Sequence, residues 1–411
     1  MAGSPSKAVP GQSTRGARDR SVRRCGAALR AAGGAVRLAL MRVIVIGSGI
    51  GGASCAYHLA RSGAEVVVVD AATEGAATAA GAGIVSPWTS RRAGEAELEL
   101  ATTAAAYHRR LADELAADGE VGSSFEVVGA LVVSADDADL AALGERLAAR
   151  AARWPEMGEV RRLDEAAARE RFPALARDLG AVHVSGGGRV DGDAIRSALL
   201  RSAARHGARA VEGTARLVWS ADRLGGVTVG AERIAGDAVV VAAGAWTPYV
   251  LAPLGVRVPV EPQRGQISHF ALPGTDTTAW PVVLPQTGHY LLAFPGSHVV
   301  AGATRETGSG FDHRVTAQGQ REVLDHALRV APGLAGATLR ETRVGFRPAT
   351  PDGLPIIGAL DGCPGVVLAT GFGPGGLTVA PYAGRLAAQV ALGEAPDTQL
   401  DAVDPARFRG A

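Results

Sequence analysis

The chain has 411 residues, 47% of them hydrophobic and 20% charged, which is ordinary for a folded globular protein and excludes general disorder. That length suffices for two domains with separate cores. The net charge of +1 hides an asymmetry: residues 1–40 carry eight basic side chains and one acid, which leaves −6 for residues 41–411 and gives a general nucleic-acid role no electrostatic footprint.

Residues 1–40 are rich in Gly, Ala, Ser and Arg, lack steady periodicity, and end where a second methionine, Met41, opens a strand. Arg23 and Arg24 suggest a twin-arginine export signal, but two arginines interrupt the following "CGAALRAAGGAVRLAL". An Arg-rich, acid-poor mitochondrial-type presequence is a second reading. A disordered extension, or a start codon placed too early, is the expectation. No run of eighteen apolar residues occurs, so no transmembrane segment is expected. Cys25, Cys55 and Cys363 are too scattered for a disulfide framework, which suits a reducing compartment, and the nine histidines never cluster at ligand spacing, so no metal site is expected.

Residues 42–70 read "RVIVIGSGIGGASCAYHLARSGAEVVVVD". Val43 to Ile46 form an unbroken β-branched run, as a parallel strand buried on both faces requires. G-x-G-x-x-G follows as Gly47, Gly49 and Gly52: the first allows a tight turn, the second leaves room for a pyrophosphate against the backbone, and the third lets the next helix pack on the strand. That helix carries Ala53, Ala56, Leu59 and Ala60 on one side and is expected to stop at Gly63. A second strand ends at Asp70, 18 residues beyond Gly52, where a carboxylate accepts ribose hydroxyls. Strand, loop, helix, strand and acid in this order predict a dinucleotide site. The carboxylate disfavours a 2′-phosphate and so removes NADP, leaving NAD and FAD.

The following "AATEGAATAAGAGIVSPW" reads as a long small-residue loop, with Thr78 and Gly83 expected against a bulky flat group, where an NAD fold more often proceeds to a regular βα unit. Residues 96–175 alternate helix, a short strand region "SFEVVGALVVS", and helix; strand, turn, helix and strand return from His183. "DAVVVAAGAW" (237–246) gives a buried strand and another close-approach glycine, Gly244. Short strands "HYLLAFP" and "HVVAGAT" and a helix from about Ala317 to Val330 come next. In "VGFRPATPDGLPIIG" (344–358) a period of two places Arg343, Gly345 and Arg347 on one strand face. Desolvating Arg347 is costly unless an anion meets it, and within the chain Asp352 or Glu341 are its available partners. Near the end, "GVVLATGFGPGGLTVAPYAGRLAAQV" gives a strand, a turn with Gly371, Gly373, Gly375 and Gly376, and a helix whose first turn holds Leu377 and Thr378. Three nucleotide-facing segments spread over the whole chain suit one long cofactor, FAD.

Taken in order, the N-terminal fingerprint, "AAGAGIVSP", "VVVAAGAW", "VEPQRGQI", "HYLLAFPGSHVVAGATRE", "GFRPATPDGLPIIG" and the glycine-rich C-terminal run resemble the D-amino-acid oxidase family of FAD-dependent amine oxidoreductases, particularly its glycine-oxidase and bacterial D-amino-acid dehydrogenase branches, over residues 41 to about 408. The resemblance implies an α/β fold: a Rossmann-like FAD-binding domain (41–95, 181–261 and 341–411) with an inserted antiparallel-sheet α+β substrate domain (96–180 and 262–340). It implies that Arg347, at the arginine of the family's F/L-R-P motif, forms a two-pronged ion pair with the substrate carboxylate, and that Tyr290 hydrogen-bonds the same group. The implied reaction is hydride transfer from the substrate Cα to flavin, giving an imine that hydrolyses to a 2-oxo acid and ammonia. The helix near Gly376 is expected to stabilise negative charge on the flavin with its amides and dipole.

Departures narrow this. Some relatives attach FAD through a cysteine in this strand region, and the nearest position here is Gly345, so non-covalent FAD is expected. The turn "GFGPGGLT" lacks the second carboxylate-binding arginine that the glycine-oxidase branch can add there, and Phe372 stands where D-amino-acid dehydrogenases usually show histidine. The only lysine is Lys7, so no lysine can promote reaction with oxygen above the flavin, which tilts the expectation toward a dehydrogenase passing electrons to a quinone or other carrier rather than to oxygen. His289, expected on the face opposite Tyr290, is assigned no role. A sarcosine-like N-methyl amino acid or other secondary amine is the alternative substrate, and a flavin-bearing subunit active only with a partner chain is the alternative of another class. Self-association into a homo-oligomer is compatible with the sequence, and the expected location is the cytoplasm, or the inner face of its membrane peripherally.

Overall fold

The computed structural model describes residues 41–91, 93–220 and 223–409, with residues 1 and 3; the expectation for the tail otherwise lies outside the described residues. The organising layer is a six-stranded sheet in the order Ile356–Ala359, Val366–Thr370, Ala238–Val241, Arg42–Ile46, Glu65–Asp70, Arg209–Glu212. All its pairs are parallel except Ile356–Ala359 with Val366–Thr370. The β-branched run explains why its centre is buried on both sides. Val43 and Val45 join the core made with the helices Ile50–Arg61 and Gly376–Ala391, whereas Ile44 and Ile46 pack against Leu217, Val227 and Ile234 of an antiparallel three-stranded layer on the other face.

The helix after the first strand runs Ile50–Arg61 and ends through Ser62, with Gly63 at φ +87° just beyond, as its glycine stop signal predicts. It lies close to the strand because Gly52 has no side chain: a Cβ there would sit 1.9 Å from the Gly47 carbonyl oxygen. A glycine also sets its distance from the C-terminal helix, since a Cβ at Gly384 would lie 2.6 Å from the Gly51 carbonyl oxygen. The small-residue segment expected as a loop contains a short helix, Ala77–Ala80, and a two-residue strand, Ile84–Val85.

Above this layer stands an eight-stranded sheet in the order Thr338–Ala349, Glu261–Ala271, His298–Gly302, Tyr290–Phe294, Val282–Pro285, Ala130–Ser134, Gly180–Val184, Val160–Leu163, antiparallel except where Val282–Pro285 pairs with Ala130–Ser134. The helix Ala317–Val330 covers it with Val323, Ala327 and Val330. Sheet membership crosses the boundaries drawn from sequence. Gly180–Val184 and Thr338–Ala349 are hydrogen-bonded within the eight-stranded sheet, and the helix Glu95–Ala117 contributes Leu111 and Leu115 to the core beneath the six-stranded one. Among the described residues, no helix is long and apolar enough to cross a membrane.

Candidate functional site

A cavity of about 670 Å³ opens between the two sheets. One end is built by the first strand's exit. Gly47 takes φ +99°, which a Cβ would oppose both conformationally and by meeting the Ala242 carbonyl oxygen at 2.4 Å. The helix Ile50–Arg61 therefore starts against the cavity with no acidic residue in its first turn and no side-chain cap from Gly49. An uncapped helix start of this kind favours an anion such as phosphate. The Ile50 amide donates to Thr78 Oγ1 at 3.0 Å. Asp70 lines the cavity at its strand end, where one carboxylate oxygen accepts from the Ser48 amide at 2.5 Å and the other from the Ala72 amide at 2.7 Å. Each oxygen keeps a lone pair for a further donor.

Of the residues expected against the cofactor, Gly47, Gly49, Asp70, Thr78 and Gly83 line the cavity, as do Gly244, Gly373, Gly376 and Leu377. Gly52, Gly371, Gly375 and Thr378 lie outside the lining, each for a local reason. Gly52 is occupied in helix–strand packing, and Gly371, at φ +74°, packs against Thr350 and Ile356. The Gly375 amide closes a turn to the Phe372 carbonyl at 3.1 Å. Thr378 is buried and donates its hydroxyl to the Ile84 carbonyl at 2.7 Å.

The other end is built from the eight-stranded sheet. Arg347, half-buried on Thr338–Ala349, reaches the cavity across Gly265 of the neighbouring strand, where a Cβ would lie 2.4 Å from Nη2. Its Nη1 donates to the Thr304 carbonyl at 3.0 Å. The internal partners open to it from sequence are engaged elsewhere: Asp352 accepts from Arg407 at 2.8 Å, and Glu341 from Arg343 at 2.8 Å. Among the described residues no carboxylate lies at ion-pair distance from Arg347. Burial pulls its pKa below the usual guanidinium value, the Tyr290 hydroxyl opposes that shift, and the nearby Arg305 adds to it. A guanidinium nevertheless stays charged at any ordinary pH. Tyr290 also lines the cavity, with its hydroxyl over Gly302, where a Cβ would lie 2.5 Å away. Burial raises its pKa above the ordinary 10, so it is a neutral donor within hydrogen-bonding reach of Arg347. His289 stacks on His326 at 3.6 Å between ring centroids and stays off the cavity. Trp246 and Phe346 also line the cavity, their ring centroids 6.1 Å apart and edge to face.

Residues 42–390 match the family described as DAO, FAD dependent oxidoreductase. The chain belongs to this FAD-dependent oxidoreductase family. It is 43% identical over 364 residues to the oxidoreductase YurR of Bacillus subtilis, covering 88% of this chain and 98% of that one. It is 31% identical over 383 residues to a glycine oxidase of Pseudomonas aeruginosa, covering 89% of this chain and 98% of that one. The crystal structure of iminodiacetate oxidase from Chelativorans sp. BNC1 superposes with a TM-score of 0.86 at 46% identity, covering 89% of this chain and 99% of that one.

The flavoprotein's own residues fit FAD. The cavity runs from Asp70 and Arg216 past the glycine turn to Tyr290 and Arg347, a course suited to an extended dinucleotide rather than a compact ligand, and the nearest atom to a Cβ at Gly49 is Thr78 Oγ1 at 3.4 Å. A side chain at Gly345 would bring its Cβ 2.6 Å from that of Ala80, so no cysteine can replace it without backbone movement, and neither Cys55 nor Cys363 lines the cavity. Arg305 is one of the cavity residues the sequence reading missed, with Arg216, Trp246 and Phe346. The signal for Arg305 was present in the quoted "HVVAGATRE", since Ala303 and Arg305 alternate onto one face.

Proposed function

We propose that the protein oxidises the C–N bond of a small amino acid, a D-amino acid or a glycine-like amine, to an imine that water hydrolyses to a 2-oxo acid and ammonia. The observation that carries this is Arg347: a guanidinium facing the cavity, with Asp352 and Glu341 both taken by other arginines, and with a planar fork that holds the Thr304 carbonyl through Nη1 but meets no carboxylate among the described residues. FAD, when bound, supplies the acceptor for the hydride that leaves the substrate carbon. The protein's residues orient. Arg347 anchors the carboxylate, the neutral Tyr290 hydroxyl donates to it, and Trp246 and Phe346 limit water at the reacting end. No side-chain base is required if the amine enters neutral, because its nitrogen lone pair is already free to form the C=N bond as the hydride leaves, and water then hydrolyses the protonated imine to the 2-oxo acid and ammonium. The start of the helix Gly376–Ala391, lined up on the cavity through Gly376 and Leu377, offers amides and a dipole to developing negative charge.

A secondary amine is the second reading, supported by the similarity to iminodiacetate oxidase. One experiment separates the two. The purified holoenzyme is mixed anaerobically with D-, L- and N-substituted amino acids, bleaching of the flavin absorbance is followed, and air is then admitted. The compound that bleaches it identifies the substrate class, the rate at which colour returns separates oxygen from a quinone or other carrier as acceptor, and turnover by the isolated chain removes the need for a partner subunit. Bleaching by no carboxylate-bearing amine would overturn the proposal.

A further inference from the structure

A second cation faces the substrate end of the cavity. Beyond the strand His298–Gly302 the chain alternates: Ala303 and Arg305 line the cavity, whereas Thr304 is fully buried and donates to Glu306 at 2.7 Å. Arg305 is exposed on the cavity wall that also holds Tyr290, and it is near enough to Arg347 for the two guanidiniums to repel. The acids around them are committed elsewhere. Glu306 is held by Arg264 at 2.6 Å and by Gln266 at 2.8 Å, and Asp312 by Arg264 and Arg314, each at 2.9 Å. Among the described residues Arg305 has no ion pair and no hydrogen bond. Two guanidiniums on one cavity disfavour each other until anionic groups come between them, and a single carboxylate held by the fork of Arg347 neutralises only one.

We infer that Arg305 is a second carboxylate-binding residue and that the substrate is a small amine bearing two carboxylates, one held by Arg347 beside the reacting carbon and the other by Arg305. The inference rests on the amine-oxidation reading above and narrows its substrate class. It also accounts for the missing arginine in "GFGPGGLT": the second cation comes from the strand side of the cavity instead of the C-terminal turn. Because Arg305 is exposed, its contribution is to affinity for the diacid and not to the reacting geometry.

The test uses two ether acids that cannot be oxidised at a C–N bond, diglycolate with two carboxylates and methoxyacetate with one, titrated calorimetrically into holoenzyme of the wild type, Arg305→Gln and Arg347→Gln, with FAD content and far-ultraviolet circular dichroism confirming each fold. The wild type is expected to bind diglycolate about tenfold more tightly than methoxyacetate, the scale of one charge-assisted hydrogen bond. Arg305→Gln brings that ratio near one, and Arg347→Gln weakens both ligands. With iminodiacetate and sarcosine as amines, Arg305→Gln lowers the ratio of their kcat/KM values through KM. Equal affinities in the wild type, or a ratio retained in Arg305→Gln, overturn the second-carboxylate role alone. Methoxyacetate affinity unchanged in Arg347→Gln overturns the anchor itself, and the proposed function with it.

Discussion

Gly265→Ala tests whether the position of the Arg347 guanidinium, rather than its mere presence, governs substrate capture. Gly265 faces Gly345 in the pair formed by Glu261–Ala271 and Thr338–Ala349, and its extended backbone accepts alanine without strain. The new methyl would lie 2.4 Å from Arg347 Nη2 and 2.6 Å from Cζ and Nη1, whereas ordinary contact begins at 3.4 Å, so the guanidinium must retreat by about 1 Å. The end of a flexible side chain yields more readily than the strand does. A shift of that size disrupts at least one of the two charge-assisted bonds of a bidentate pair, about 1.5–3 kcal/mol, or roughly 10- to 150-fold in the apparent substrate constant. Anaerobic flavin reduction over a range of substrate concentrations reads the constant, and absorbance after denaturation reads FAD content, which should match wild type. The double variant with Arg347→Leu should be no worse than Arg347→Leu alone, because both changes remove one interaction. A substrate constant within twofold of wild type at full FAD occupancy would refute the reasoning.

Arg347→Leu itself should leave FAD bound and raise the substrate constant by at least as much as Gly265→Ala; unchanged kinetics would remove Arg347 from the site. Asp70→Ala, which deletes a cavity-lining carboxylate and its bonds to the Ser48 and Ala72 amides, should yield FAD-poor protein, read as the ratio of flavin to protein absorbance; full occupancy would contradict the ribose role. His58 is buried, bonds Tyr107 at 2.7 Å, and has its pKa pushed down to about 3 chiefly by burial. Its folded value lies below the ordinary 6.5, so its contribution to stability is complete above pH 6.5 and is lost as pH falls toward 3. Between pH 7 and pH 5 that loss amounts to about 2 kcal/mol, and His58→Gln should remove this share from the pH dependence of urea unfolding, leaving the shares of His108, His269 and His289, which burial also pushes down to about 4. An unchanged pH dependence would show that His58 is not one of the titrating groups.

The nucleotide end was legible because its signals are local. A β-branched run, a turn that only glycine fits, a helix stop at Gly63 and an acid at the end of the next strand lie within 29 residues, and each is decided by its neighbours in the chain. The helix Ala317–Val330 was legible by its period for the same reason. The glycine-rich C-terminal turn was legible only in part. Composition marks a close approach of backbone but does not say to what, and Gly371 and Gly375 approach the protein itself while Gly373 and Gly376 approach the cavity.

The sequence alone determined which elements form and which side chains share a face: the alternation that sends Val43 and Ile44 to opposite cores also aligns Gly345 with Arg347. Tertiary structure decided the charges. Asp352 is bound by an arginine 55 residues away, and Glu341 by Arg343 two residues along the same strand, so Arg347 is left to the cavity and is joined there by Arg305 from the segment that follows the strand His298–Gly302. Periodicity follows from backbone geometry repeated residue by residue, whereas the partner of a buried ion depends on which distant segments the fold brings within a few ångströms, where Coulomb attraction outweighs solvation.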